Sequence, residues 1–191
     1  MSTKDHVIHI LRGTEAHRIR YSFPSGGGNI QVNRLSFESV ARAIEHGHIT
    51  VQVSTTFAAG VGALYHPDTN TIETPPVIGR GNEGLLLHEC VHASFDLART
   101  AIPAVDDEAA AYVADALYFR MTGLQRPRWS AVLHAWAGTV ADGLLSDYQA
   151  GNTPIPAVSG FYWHALRIFI ATHPVYIAGP AGHGGSYQHD G

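Results

Sequence analysis

His88-Glu89-Cys90-Val91-His92 is a His-Glu-x-x-His motif inside an apolar run. On an α-helix, residues i and i+4 stack on one face with Cβ atoms about 5–6 Å apart. His88 and His92 can therefore converge on one metal ion, which for zinc needs Zn–N distances of about 2.0–2.1 Å. Glu89 lies one helical step on, within reach of a metal-bound water without being a ligand. Zinc lowers the pKa of the water it holds to about 7, and an adjacent carboxylate takes the proton, so this combination is hydrolytic. The flanks fit a helix. Asn82 reads as an N-cap, Glu83 suits the positive helix end, and residues 84–97 contain no proline. With 13 histidines in 191 residues, an incidental pair on a half-buried helix is the competing explanation. The helical context favours the metal.

A catalytic zinc site keeps three protein ligands and an open position. A third histidine in the extended HExxHxxGxxH form is excluded, because Phe95 and Ala98 stand where that pattern has Gly and His. A carboxylate on a second helix is the other common solution. Pro103 breaks the chain, Asp106 can cap, and the run Asp106-Asp107-Glu108 suits a helix N-terminus. The small residues Ala109, Ala110, Ala111 and Ala114 allow close approach to the motif helix, so Glu108 can point across at the histidines. Taken alone, such an acidic run is a solvated first turn. Asp107 and Asp96 remain alternatives to Glu108 as ligand, Asp96 lying at i+4 from His92. Asp115, two turns beyond Glu108, is a candidate acceptor for a ligand imidazole N–H, or else a surface aspartate.

With HExxH on one helix and a glutamate on the next, the chain resembles the gluzincin group of zinc metallopeptidases. Within that group its organisation is similar to the small ImmA/IrrE-type intracellular metallopeptidases, which place a hairpin strand, then the motif helix, then a Glu-x-x-Ala helix. Residues 63–74 would be the hairpin, turning at Asp68-Thr69-Asn70; His88, Glu89 and His92 follow, then Glu108-Ala109-Ala110-Ala111. The resemblance covers about residues 60–122. It implies an α+β, zincin-like fold in which a small antiparallel sheet with a hairpin edge packs on a mainly helical bundle. It also implies that the hairpin edge beside the motif helix can hold a substrate backbone; a plain structural hairpin is the alternative.

The rest of the chain sets bounds. At 191 residues a single domain is expected, over residues 1–178, followed by a flexible Gly- and His-rich tail at 179–191 that contains His183 and His189. Hydrophobic residues are 45% and charged residues 15% of the chain, which suggests buried helices and a protein partner covering some apolar surface. A net charge of −4 argues against nucleic acid; Arg120, Arg126 and Arg128 make only a small local cluster. No apolar run reaches transmembrane length, since residues 161–172 are too few and include His164 and Arg167. The polar N-terminus is not followed by a signal-peptide core, and the one cysteine, Cys90, cannot form an intrachain disulfide. The expected location is cytoplasmic, with delivery elsewhere by other machinery as an alternative. Cys90 sits off the two-histidine face and reads as a small core residue.

Residues 7–10 and 18–22 read as short strands, and Pro24-Ser25-Gly26-Gly27-Gly28 as a flexible loop. Ser36 is expected to cap a helix that ends at Gly47, and Ile49, Val51 and Val53 alternate as a half-buried strand. Helices are expected over about 83–100, 106–122 with Gly123 as the stop, 129–148 and 156–173, the last two burying the metal-bearing pair.

Three functions fit. The first is a zinc-dependent peptidase in which His88, His92 and Glu108 hold Zn²⁺ and Glu89 is general base and then general acid, as a regulatory protease or a toxin-type effector. Its transition-state oxyanion needs a further donor, for which His164, Tyr162 and His134 are candidates. The second is a zinc hydrolase of a small molecule. The third is a non-enzymatic module, against which the intact Glu89 argues.

Overall fold

A computed structural model describes residues 1–57, 61–125, 131–151, 154–177 and 186–187. The N-terminus forms helix α1 (Thr3–Leu11) and the short α2 (Thr14–Arg18), where strands were expected at 7–10 and 18–22. The reason lies in spacing and capping. Val7, Ile10 and Leu11 recur at helical intervals and are buried, and Ser2 with Asp5 closes a capping box. The strand begins only at Tyr21: β1 (Tyr21–Ser25) pairs antiparallel with β2 (Gly28–Val32). The expected flexible loop is thus a two-residue hairpin turn. Gly26 and Gly27 have φ of 56° and 83°, the left-handed pair that matches the twist of the flanking strands.

Helix α3 (Arg34–His46) is capped by Asn33, whose side chain accepts the Leu35 N–H at 2.8 Å. Ser36, the expected cap, completes the box from inside by accepting the Asn33 N–H at 3.2 Å. Gly47, at φ 78°, ends the helix. Strands β3 (Thr50–Val53), β4 (Leu64–His66) and β5 (Thr71–Thr74) form a sheet in the order β3-β5-β4. β4 and β5 are the expected hairpin, joined by a 3₁₀ turn over Pro67–Thr69. The sheet is mixed rather than antiparallel, because β5 folds in between its hairpin partner and β3 and runs parallel to β3. β3 lies on the outside, with Val53 46% exposed, so only Ile49 and half-buried Val51 serve the core.

The motif lies on α4 (Arg80–Leu97), which starts ahead of the expected cap at Asn82, with Gly79 at the N-cap position. Glu83 accepts the Tyr118 hydroxyl at 2.5 Å. After a two-residue strand β6 (Ile102–Pro103), helix α5 (Ala104–Thr122) runs through the middle of the molecule and stops at Gly123, φ 67°. It packs on α4, α6 (Ala131–Ala150) and α7 (Gly160–Thr172), which explains its alanine-rich sequence and near-complete burial. α7 leaves Phe161 73% and Ile168 49% exposed. The chain then turns through α8 (Pro174–Ile177), and β7 (Ser186–Tyr187) pairs antiparallel with β6. The remainder of the expected flexible tail, with His183 and His189, and the arginines Arg126 and Arg128 lie outside the described residues. Among the described residues no helix is long and apolar enough to cross a membrane.

Close contact between α4 and α5 depends on Gly84. A Cβ there would lie 2.5 Å from Phe119 Cε2 and 2.9 Å from Tyr118 Cδ1. Alanine restores up to about 1 kcal/mol of helix propensity, but overpacking a tight core costs about 1–3 kcal/mol. Gly84→Ala is expected to lower unfolding free energy by about 1–2 kcal/mol, read from urea denaturation; an unchanged or raised midpoint would show that the rings move aside freely.

Candidate metal centre

One helical turn separates His88 from His92 on α4, and their ring centroids are 5.0 Å apart. Glu108 reaches them from α5. Its Oε2 lies 3.7 Å from His88 Nε2 and its Oε1 3.9 Å from His92 Nε2. One donor atom from each of the three side chains can be chosen so that all lie within 4.8 Å of one another. Tetrahedral zinc spaces its nitrogen and oxygen donors by about 3.3 Å, following from bonds of about 2.0–2.1 Å. With one Glu108 oxygen serving as the donor, the group needs to close by up to about 1.5 Å to reach that spacing. Imidazole and carboxylate donors suit zinc and its first-row neighbours.

The far sides of the imidazoles match this arrangement. His92 Nδ1 is 2.8 Å from Asp107 Oδ1, and His88 Nδ1 is 3.7 Å from Asp115 Oδ2. A carboxylate on Nδ1 fixes the tautomer that presents Nε2 to an ion and raises ligand basicity. Asp107, weighed from sequence as a replacement ligand, is therefore placed behind His92, whereas Asp115 lies on the far side of His88 at 3.7 Å, beyond hydrogen-bond distance of Nδ1. The acidic run is not a solvated turn. Asp106 and Asp107 are each 1% exposed; Asp106 accepts the Ser25 hydroxyl at 2.7 Å and pairs with Arg167. Asp106 does not cap α5, whose N-cap position is Pro103.

Glu89 stands apart from the triad. Its Oε2 accepts the backbone N–H of Tyr65, on β4, at 2.9 Å. Asp96, the other alternative ligand, is not part of the group that converges with the two histidines: it is fully buried and accepts the Tyr65 hydroxyl at 2.5 Å. Tyr65 thereby ties β4 to the motif helix at two points. Cys90 is buried, and burial pushes its thiol well up, so it stays neutral in the core.

Of the oxyanion donors considered from sequence, His164 is exposed, Tyr162 is 38% exposed, and His134 packs against Tyr112 at 5.5 Å between centroids. The residue that reaches the triad is Tyr176 of α8, whose hydroxyl donates to Glu108 Oε2 at 3.1 Å and lies 2.7 Å from the Tyr112 hydroxyl. No sequence pattern marks it. It follows the α7 helix by a tight turn, 68 residues from Glu108.

The electrostatics of the cluster are those of four acids around two bases. Burial alone pushes the His88 imidazole down, but Asp115 and Glu108, with Glu89, outweigh it and hold it up at about 9. His92 likewise resists burial through Asp107 and Glu108 and sits at about 10. Glu108 is raised by burial and lowered more by His92 and His88, for a net depression. Glu89 moves up, with burial as the main cause, which suits a proton acceptor. Metal-free imidazoles held this high are protonated at pH 7, so a divalent cation must displace both protons. Zinc binding at pH 7 is therefore expected to release about two protons, and affinity should rise with pH and weaken as pH falls. Calorimetry in two buffers of different ionisation enthalpy reads the number directly, and no release at pH 7 would contradict this account of the cluster.

Comparison of the chain with protein-family models, curated proteins and solved structures gives no match.

Proposed function

We propose that this chain is a zinc-dependent metallopeptidase with His88, His92 and Glu108 as metal ligands and Glu89 as general base. The observation that carries the reading is the division of labour within the cluster. Two imidazoles and the Glu108 carboxylate converge, while the carboxylate of the motif itself, Glu89, is outside that group and accepts a backbone amide. A purely structural site has no use for such a base. When bound, zinc supplies an open coordination position and electrophilic charge. Glu89 accepts the proton of the attacking water and returns it to the leaving amine. Its Tyr65 N–H contact fixes one oxygen and leaves the other for that transfer.

Strand β4 supports a peptide over a small molecule as substrate. It borders the sheet, pairs with β5 on one side, and turns the Tyr65 N–H on its other side toward Glu89. An extended chain laid along that border would bring a peptide bond to Glu89. The resemblance to ImmA/IrrE-type gluzincins supports the same reading. The test is to incubate the zinc-loaded protein with a proteome-derived peptide library and to compare cleavage with the Glu89→Gln protein. Cleavage that depends on Glu89 supports the reading; identical profiles overturn it.

A further inference from the structure

We infer that Tyr176 is a positioning residue for this metal centre, its hydroxyl holding the Glu108 carboxylate so that it meets the ion through one oxygen. The inference rests on the metal-binding half of the reading above and does not need the peptidase half. A ligating carboxylate with both oxygens free can chelate, which fills a coordination position that hydrolysis needs open. In this site the two oxygens are not equivalent. Both face the imidazoles, Oε2 at 3.7 Å from His88 Nε2 and Oε1 at 3.9 Å from His92 Nε2, but only Oε2 accepts the Tyr176 hydroxyl, at 3.1 Å, and a lone pair given to a hydrogen bond is not available to a metal.

Tyr176 is itself directed. It has one hydroxyl proton, and with that given to Glu108, its 2.7 Å contact with Tyr112 must run with the Tyr112 hydroxyl as donor. Tyr112 is 1% exposed, stands one turn after Glu108 on α5, and sets its ring edge-on against His88 at 4.9 Å. The chain Tyr112→Tyr176→Glu108 thus closes on the helix that carries the ligand, and hydrogen bonds in series polarise one another. α8 gains a reason to fold back over α5. A packing role alone would need the ring of Tyr176 and not its oxygen.

The experiment is a Co²⁺ titration of the full chain, since visible absorption of cobalt reports coordination number. Wild type is expected to give the intense band of a four-coordinate ion. Tyr176→Phe should give the weaker band of a five-coordinate ion and a Kd raised about 10–100-fold, the usual scale for losing a contact behind a ligand, with unchanged far-UV circular dichroism. Tyr112→Phe, which keeps the donor on Glu108, should fall between them. A Tyr176→Phe protein with the wild-type band and Kd overturns the proposal. Should that variant fail to fold, an unchanged band and Kd in Tyr112→Phe overturns it instead. Wild type that takes up neither Co²⁺ nor Zn²⁺ removes the metal reading itself, an outcome distinct from a bound ion indifferent to Tyr176.

Discussion

Glu89→Gln is expected to cut turnover on any cleaved peptide by about 10²–10⁴-fold, the range over which a general acid–base group contributes. Metal content and melting temperature should stay at wild-type values. Glutamine keeps the shape of the side chain, and its amide oxygen can still accept the Tyr65 N–H that Glu89 Oε2 accepts at 2.9 Å. What it loses is the ability to take a proton. Glu89 is a good acceptor because burial lifts its carboxyl above the ordinary range. The measurement is kcat on the best peptide from the library, with zinc quantified in both proteins. Equal turnover would remove Glu89 from the chemistry; a variant that loses its metal would give Glu89 a structural role instead.

Glu108→Gln is expected to weaken zinc binding by more than about 100-fold, beyond the 10–100-fold typical of contacts behind the ligands. Glutamine preserves volume while removing the charge that faces both Nε2 atoms at 3.7 and 3.9 Å. Asp107→Asn should fall within the lesser range. Its carboxylate contacts His92 Nδ1 at 2.8 Å and works through that imidazole. Asp96→Asn should leave the metal in place, because Asp96 serves the Tyr65 hydroxyl. Competition against a chromophoric chelator ranks the three. If Asp107→Asn or Asp96→Asn releases zinc while Glu108→Gln holds it, the ligand assignment is wrong.

The helices that carry the His-His-Glu group are legible because their logic is local. An i, i+4 histidine pair demands a helix, and a proline, an acidic run and a run of alanines announce the next one. What sits behind the ligands was only half legible. Asp115 falls two turns after Glu108 on one helix face, so periodicity points to it. Asp107 reads equally well as a solvated first-turn residue, and its burial follows from where α4 lies against α5. Residues 7–10 mislead because Val7-Ile8 looks extended, whereas the burial pattern and the Ser2–Asp5 capping box obey the helical period. The parallel pairing of β3 with β5 and the return of Tyr176 to Glu108 depend on long-range placement that no short window encodes.

Whether His88, His92 and Glu108 hold an ion decides the chemistry of this site. X-ray absorption at the zinc K edge of the reconstituted full chain, with elemental analysis of the same sample, measures this most directly. The expected result is about one zinc per chain in a shell of nitrogen and oxygen only, with the outer-shell signature of two imidazoles. A zinc-free sample after reconstitution, or a sulfur scatterer showing Cys90 as a ligand, would contradict it.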